Sequence, residues 1–246
     1  MTTARGTVAR GPADRYELVF VLLLLTFVLA AFSKQGWTRL PSLALNIAAL
    51  LVAIRSAQLP RHTARTMRLV LGGGSLLAVV VVLVVPGAMT EWLFACWVAV
   101  VLLTTIIVIV RRILRHRYVT KQTLFGALSA YLLIGFFFSA VYGAAAKLGT
   151  APFFAGGQEA TPASVQYFSF ITLSTTGYGD YTAQGDTGRS MAVLEAVLGQ
   201  IFLVTLVARL VALYGMVRPT RPTRPTRPTV PDADEAEEAD EADDRG

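Results

Sequence analysis

Six long apolar runs dominate the chain, at approximately Tyr16–Phe32, Leu40–Leu59, Leu69–Val85, Trp92–Val110, Leu124–Ala146 and Met191–Met216. Hydrocarbon offers a backbone amide no partner. A segment inside it must therefore close its hydrogen bonds internally, as a helix, or with neighbours in a closed barrel. The runs are continuous rather than alternating, which removes the barrel pattern, and they approach the roughly 20 residues a bilayer crossing requires. The second is the weakest: it contains Asn46, and Arg55 interrupts its end, so an interfacial or re-entrant course is the alternative there. Composition points the same way. The chain is 54% hydrophobic and only 15% charged, where a soluble domain has about a quarter of its residues charged. The fold class expected is an all-α integral membrane protein with six transmembrane helices.

Charge supplies an orientation. The formal net charge is +6, but nine of the sixteen acidic residues lie between Asp232 and Asp244. Without the last seventeen residues the balance is 21 basic against 7 acidic. In a membrane protein such an excess reads as loops held on the cytoplasmic side against anionic lipid, rather than as a nucleic-acid surface. The basic residues also alternate by loop. Arg5, Arg10 and Arg15 precede the first run; Arg55, Arg61, Arg65 and Arg68 lie between the second and third; Arg111, Arg112, Arg115, Arg117 and Lys121 lie between the fourth and fifth. Loops of opposite parity hold far fewer. Six crossings with both termini cytoplasmic satisfy this pattern, and losing one crossing would break it. The N-terminus superficially resembles a signal peptide, but no clean small-residue cleavage site follows, so a retained first span is expected. Cys96 is the only cysteine, which excludes an intrachain disulfide and reads as a small buried hydrophobe.

The connection between the fifth and sixth runs is long and not uniformly polar. Thr161-Pro162 suits a helix N-cap followed by proline at the first helical position. Ala163–Ser174 then offers one short, aromatic-rich helix, too short to cross a membrane. A re-entrant helix followed by Thr175-Thr176-Gly177-Tyr178-Gly179-Asp180 would present irregular backbone at membrane depth, which is allowed only where protein or a water-filled pore surrounds it. A monovalent cation crossing there must exchange its hydration shell for fixed oxygens, and backbone carbonyls aimed at one axis can provide them. Aiming successive carbonyls the same way makes the backbone alternate in handedness. Gly177 and Gly179 adopt positive φ at least cost. Thr175 can add its hydroxyl at the inner end, and Tyr178 would turn away from the axis and brace the segment.

Ile171 through Asp180, reading ITLSTTGYGD, closely resembles the pore signature of the potassium channel family. The resemblance implies a potassium selectivity filter at Thr175, Thr176, Gly177, Tyr178 and Gly179, with K+ as permeant ion and no cofactor. The family's usual filter has valine where Thr176 stands; that position contributes its carbonyl. Some members carry a glutamate one turn before the filter, paired with the following aspartate; Ile171 occupies that place here, so this buttress to Asp180 is missing. Tyr167 and Phe168 match the aromatic pair that supports the filter tyrosine. Asp180 is read as a filter-mouth hydrogen-bonding residue, with plain solvation the alternative. Gly199 lies where the family often has a hinge glycine, and close helix packing is the other reading. The match covers about Leu124–Gly215. One chain supplies one filter segment and a symmetric filter needs four, so a homotetramer is implied.

A voltage sensor would need several basic residues inside the field. Trp92–Val110 has none, and the arginines that follow cluster at its edge, so no sensor is recognisable. The organisation expected is a cytoplasmic N-terminus at 1–15, a four-helix membrane domain at 16–122, a pore domain at 123–217 and a disordered tail at 218–246. In that tail Arg-Pro-Thr repeats four times before an acidic run. The tail and basic loops could meet anionic headgroups. The rival readings are a weakly selective cation channel, a channel-derived transporter and a non-conducting regulatory subunit. Transporters of that kind carry four filter-like loops, whereas one is present here. An enzyme is not supported: His62 and His116, the only histidines, lie in basic stretches without a carboxylate or cysteine nearby. Gly72-Gly73-Gly74 reads as close packing or a helix irregularity.

Overall fold

The computed structural model describes residues 16–31, 39–56, 61–85, 87–115 and 121–214. The N-terminal 1–15 segment, Lys34, His116, Arg117 and the 218–246 tail lie outside these. The described residues form seven helices and no strand: α1 (Tyr16–Ala31), α2 (Arg39–Ser56), α3 (Arg61–Val84), α4 (Ala88–Arg115), α5 (Lys121–Leu148), α6 (Pro162–Leu173) and α7 (Asp186–Tyr214). Four of them contain stretches long and apolar enough to cross a bilayer, at Arg65–Val84, Ala88–Leu114, Gln122–Leu148 and Asp186–Arg209. The other two apolar runs appear as shorter stretches, Tyr16–Leu29 and Ala44–Ala53. At 1.5 Å per residue, the 16 residues of α1 reach about 24 Å.

Several arginines assigned to loops by their charge lie on helices instead. Arg61, Arg65 and Arg68 occupy the first turns of α3, and Arg111, Arg112 and Arg115 the last turns of α4. An apolar run marks the hydrocarbon layer, but the helix continues until its backbone ends can be satisfied elsewhere. Basic residues in the closing turns of α4 also complement the negative end of the helix dipole.

α4 and α5 pack antiparallel. Lys147 near the end of α5 pairs with Glu91 at the start of α4 at 2.6 Å, while Gly126 near the start of α5 meets Ile113 near the end of α4. One buried cluster runs through Tyr16, Val19 and Leu23 of α1, Ala49 and Ala53 of α2, Leu102 and Ile109 of α4 and Leu133 and Phe136 of α5. Phe170 of α6 and Phe202 and Leu206 of α7 pack on the same cluster. The early helices therefore share a core with the later ones. α1 touches α6 directly: the Phe27 and Phe170 rings meet edge-on at 4.8 Å, and Gln166 Nε2 donates to the Phe27 carbonyl at 3.3 Å. At the other end of the molecule, Arg209 of α7 donates to the Ile113 carbonyl of α4 at 2.7 Å, one of the carbonyls a helix end leaves without an internal partner.

The Gly72-Gly73-Gly74 triplet sits inside a continuous α3. A Cβ at Gly74 would run into the Trp97 indole, whereas Gly72 and Gly73 face open space. Trp97 Nε1 donates to Ser75 Oγ at 3.1 Å, so close packing of α3 on α4 accounts for one glycine of the three.

Candidate functional site

The short helix α6 begins as its sequence requires. Thr161 is the N-cap, its hydroxyl accepting from the Ser164 amide at 3.1 Å, and Pro162 takes the first helical position. Proline costs nothing there because its missing N–H would have had no partner. α6 ends at Leu173 with Ser174 as C-cap, where the cap amide bonds Phe170. The chain then leaves helical geometry abruptly.

From Thr175 to Gly179 the backbone alternates. Positive φ occurs at Thr175 (57°), Gly177 (50°) and Gly179 (80°), and not at Thr176 or Tyr178. Glycine takes that conformation at no steric cost. Thr175 does not: a β-branched residue there is strained by about 1–3 kcal/mol, and its surroundings hold it. Its amide bonds the Thr172 carbonyl at 2.9 Å, and the Thr176 and Gly177 amides both bond the Ile171 carbonyl, at 2.9 and 3.1 Å. Gln200 of α7 donates to the Thr175 hydroxyl at 3.1 Å. Ser174 and Thr176 hydroxyls meet at 2.8 Å. All residues from Ser174 to Asp180 are exposed, Tyr178 at 72%.

The segment after Gly179 is pinned from outside α6. Ala155 N donates to the Thr182 carbonyl and Gln184 N to the Phe153 carbonyl, both at 2.9 Å, so the loop before α6 pairs with the loop after Asp180. Gln158 Nε2 donates to the Asp180 carbonyl at 2.9 Å. The Tyr167 hydroxyl lies near the Asp180 carboxylate, and its ring meets Tyr181 at 5.6 Å. Ile171, where a carboxyl would have faced Asp180, is buried and apolar; a tyrosine one turn earlier stands near the aspartate instead.

The aromatic pair on α6 divides. Phe168 is buried against Tyr142, Phe153 and Phe154 of its own chain, whereas Tyr167 faces outward toward Asp180 and Tyr181. Gly199 lies within an uninterrupted α7, directly behind the end of α6. A Cβ there would stand 2.6 Å from the Leu173 carbonyl oxygen and 2.8 Å from Leu173 Cδ1. Tyr131 of α5 donates to the same Leu173 carbonyl at 3.3 Å.

Four contributors to this site are not singled out by the sequence pattern: Gln200, Tyr131, Gln158 and Glu195. The first three carry ordinary polar side chains whose role depends on which helix faces which. Glu195 does have a signal, being the only acidic residue between Asp186 and Asp232 and lying inside an apolar run. An ionisable group in that setting marks function by default. Among the described residues, no group of three or more His, Cys, Asp or Glu is placed to hold a metal ion.

Two long apolar helices, a short capped helix between them and an exposed segment of alternating backbone define the class: a multi-helix membrane protein with the makings of an ion pathway. Residues 126–215, which take in nearly all of α5 and the whole of α6 and α7, match the family model described as "Ion channel". No curated protein matches the chain.

Proposed function

We propose that the chain is one subunit of a potassium-selective channel, with Thr175, Thr176, Gly177, Tyr178 and Gly179 as its filter. The observation that carries this reading is the alternation of positive φ at Thr175, Gly177 and Gly179. It is the backbone condition for successive carbonyls to face one axis and replace a cation's hydration water. The exposure of that segment in a single chain supports a site completed by copies of itself, a homotetramer being the closed arrangement that surrounds an ion. The exposed apolar residues Val193, Val197, Ile201 and Val204 of α7 lie beside it and suit the same assembly. Within it, the outward-facing Tyr178 would brace against a neighbouring subunit, and the C-terminal end of each α6 would point its negative dipole toward the ion.

Six crossings, with α6 re-entrant between the fifth and sixth, and both termini on the cytoplasmic face of the plasma membrane complete the reading. Conduction is passive and not voltage-controlled, since Trp92–Val110 carries no charge. Basic residues at the ends of α3 and α4 would meet anionic headgroups. The test is a planar bilayer containing the purified chain under opposed potassium and sodium gradients. A reversal potential near the potassium value, steady across imposed voltages, is expected. A value near that of sodium, one between the two, or no conductance overturns the reading; the last two point to a weakly selective channel or a non-conducting subunit.

A further inference from the structure

Glu195 lies within α7 with no exposed surface, and its carboxyl enters the seam where α5, α6 and α7 meet. Tyr142 of α5 donates its hydroxyl to Glu195 Oε2 at 2.6 Å. The other oxygen, Oε1, stands within hydrogen-bond reach of Ser169 Oγ on α6. The same Ser169 oxygen lies 2.7 Å from the Gly135 carbonyl of α5. Glu195 thus joins three helices through two hydroxyls, and among the described residues no cation is paired with it.

Counting protons decides its state. A serine hydroxyl has one proton to give, and a backbone carbonyl can only accept. Ser169 cannot give its one proton to both Gly135 and Glu195, so one of these two contacts lacks a hydrogen unless the carboxyl provides it. An ionised carboxylate would set two acceptors against one proton in a buried, apolar seam, an arrangement that costs heavily. A proton on Oε1 closes the count. Glu195 then donates to Ser169, Ser169 to Gly135, and Tyr142 to Oε2.

We propose that Glu195 is carried as the neutral acid and is the positioning residue that locks α6, and so the filter, between α5 and α7. The lock is close to what it positions. Ser169 is one turn before Leu173, whose carbonyl abuts Gly199, and Leu173 leads directly into Ser174 and Thr175. The titratable groups facing Glu195 are Tyr142 and Tyr131, both on α5; α6 presents Ser169, which does not titrate. Three cations on the flanking helices are engaged elsewhere: Lys147 with Glu91, Arg189 with the Ala183 carbonyl and Arg209 with the Ile113 carbonyl.

The functional consequence rests on the channel reading above; the protonation state does not, and the test separates them. The full chain, E195Q and E195V are purified, reconstituted in liposomes and assayed for potassium flux. Each is also unfolded thermally in detergent between about pH 5 and pH 9, a range above the ordinary carboxyl pKa. Glutamine can donate to Ser169 and accept from Tyr142, so E195Q is expected to keep flux within about twofold, whereas E195V loses roughly tenfold through the missing hydrogen bonds. A carboxyl that keeps its proton only when folded makes stability fall as pH rises. The wild-type midpoint should therefore drop with pH relative to E195Q. Flux in E195Q as low as in E195V, or wild-type and E195Q midpoints that run parallel, overturns the proposal. If E195V does not fold, E195Q and the pH comparison still decide. If neither wild type nor E195Q conducts potassium, the channel reading fails while the midpoints still report on the neutral acid.

Discussion

Replacing Gly199 by alanine separates two roles for this residue, and the structure sets the size of the effect. The added Cβ would meet the Leu173 carbonyl oxygen at 2.6 Å, where ordinary contact begins at 3.4 Å. Either α7 or the end of α6 must therefore give by about 0.8 Å. Rotating a side chain gives no relief, because the obstacle is backbone. Overpacking of this kind costs about 1–3 kcal/mol, offset by about 1 kcal/mol because alanine is the better helix former. The net loss is up to about 2 kcal/mol, which lowers the unfolding midpoint by several degrees. Leu173 is two residues from Thr175, so the displacement reaches the inner end of the proposed filter. A change of 1.4 kcal/mol in relative ion binding is tenfold, and the potassium-to-sodium permeability ratio of G199A should fall by about that factor. Reversal potentials under bi-ionic conditions measure the ratio, and thermal unfolding measures the stability. A G199A channel with wild-type selectivity and midpoint but reduced open probability would refute the packing argument and restore the hinge.

Three further outcomes follow from single contacts. Gln200→Leu removes the 3.1 Å bond to the Thr175 hydroxyl; with about 1 kcal/mol lost at a strained residue, internal barium should block with roughly fivefold lower affinity, and an unchanged half-blocking concentration would dismiss the tether. Tyr167→Phe leaves the Asp180 carboxylate without the hydroxyl beside it, so current through this variant should decay during sustained opening, and D180N should decay alike; steady currents in both would show that this contact does not hold the proposed filter mouth. Gly74→Ala drives a methyl into the Trp97 indole and should destabilise the fold by about 1–3 kcal/mol, whereas Gly72→Ala, facing open space, should be neutral or mildly stabilising; equal midpoints for the two would count against the α3–α4 contact.

Features set by local chemistry are the ones legible in the sequence. The start of α6 follows from Thr161 and Pro162, because a cap and a fixed φ act within one turn. Gly177 and Gly179 announce positive φ for the same reason. The left-handed conformation of Thr175 carries no such letter: threonine disfavours it, and hydrogen bonds of the adjacent backbone and of Gln200 hold it there. Helix ends are less legible, because charge suggests a loop whereas Arg61–Arg68 and Arg111–Arg115 continue the helices they flank.

By itself the sequence determined that the chain is membrane-embedded and helical, that a short capped helix precedes a Gly-containing string, and that the fourth run carries no charge. Each of these depends on residue type and spacing within a few turns. Tertiary structure alone decided the partners: Gly199 against the Leu173 carbonyl, Tyr167 rather than residue 171 against Asp180, α1 against α6, and Glu195 between Tyr142 and Ser169. Those pairs are separated by 13 to 143 residues, and no local preference links them. They arise from which faces of the helices meet, where backbone oxygens and buried hydroxyls must be satisfied by whatever side chain the packing brings.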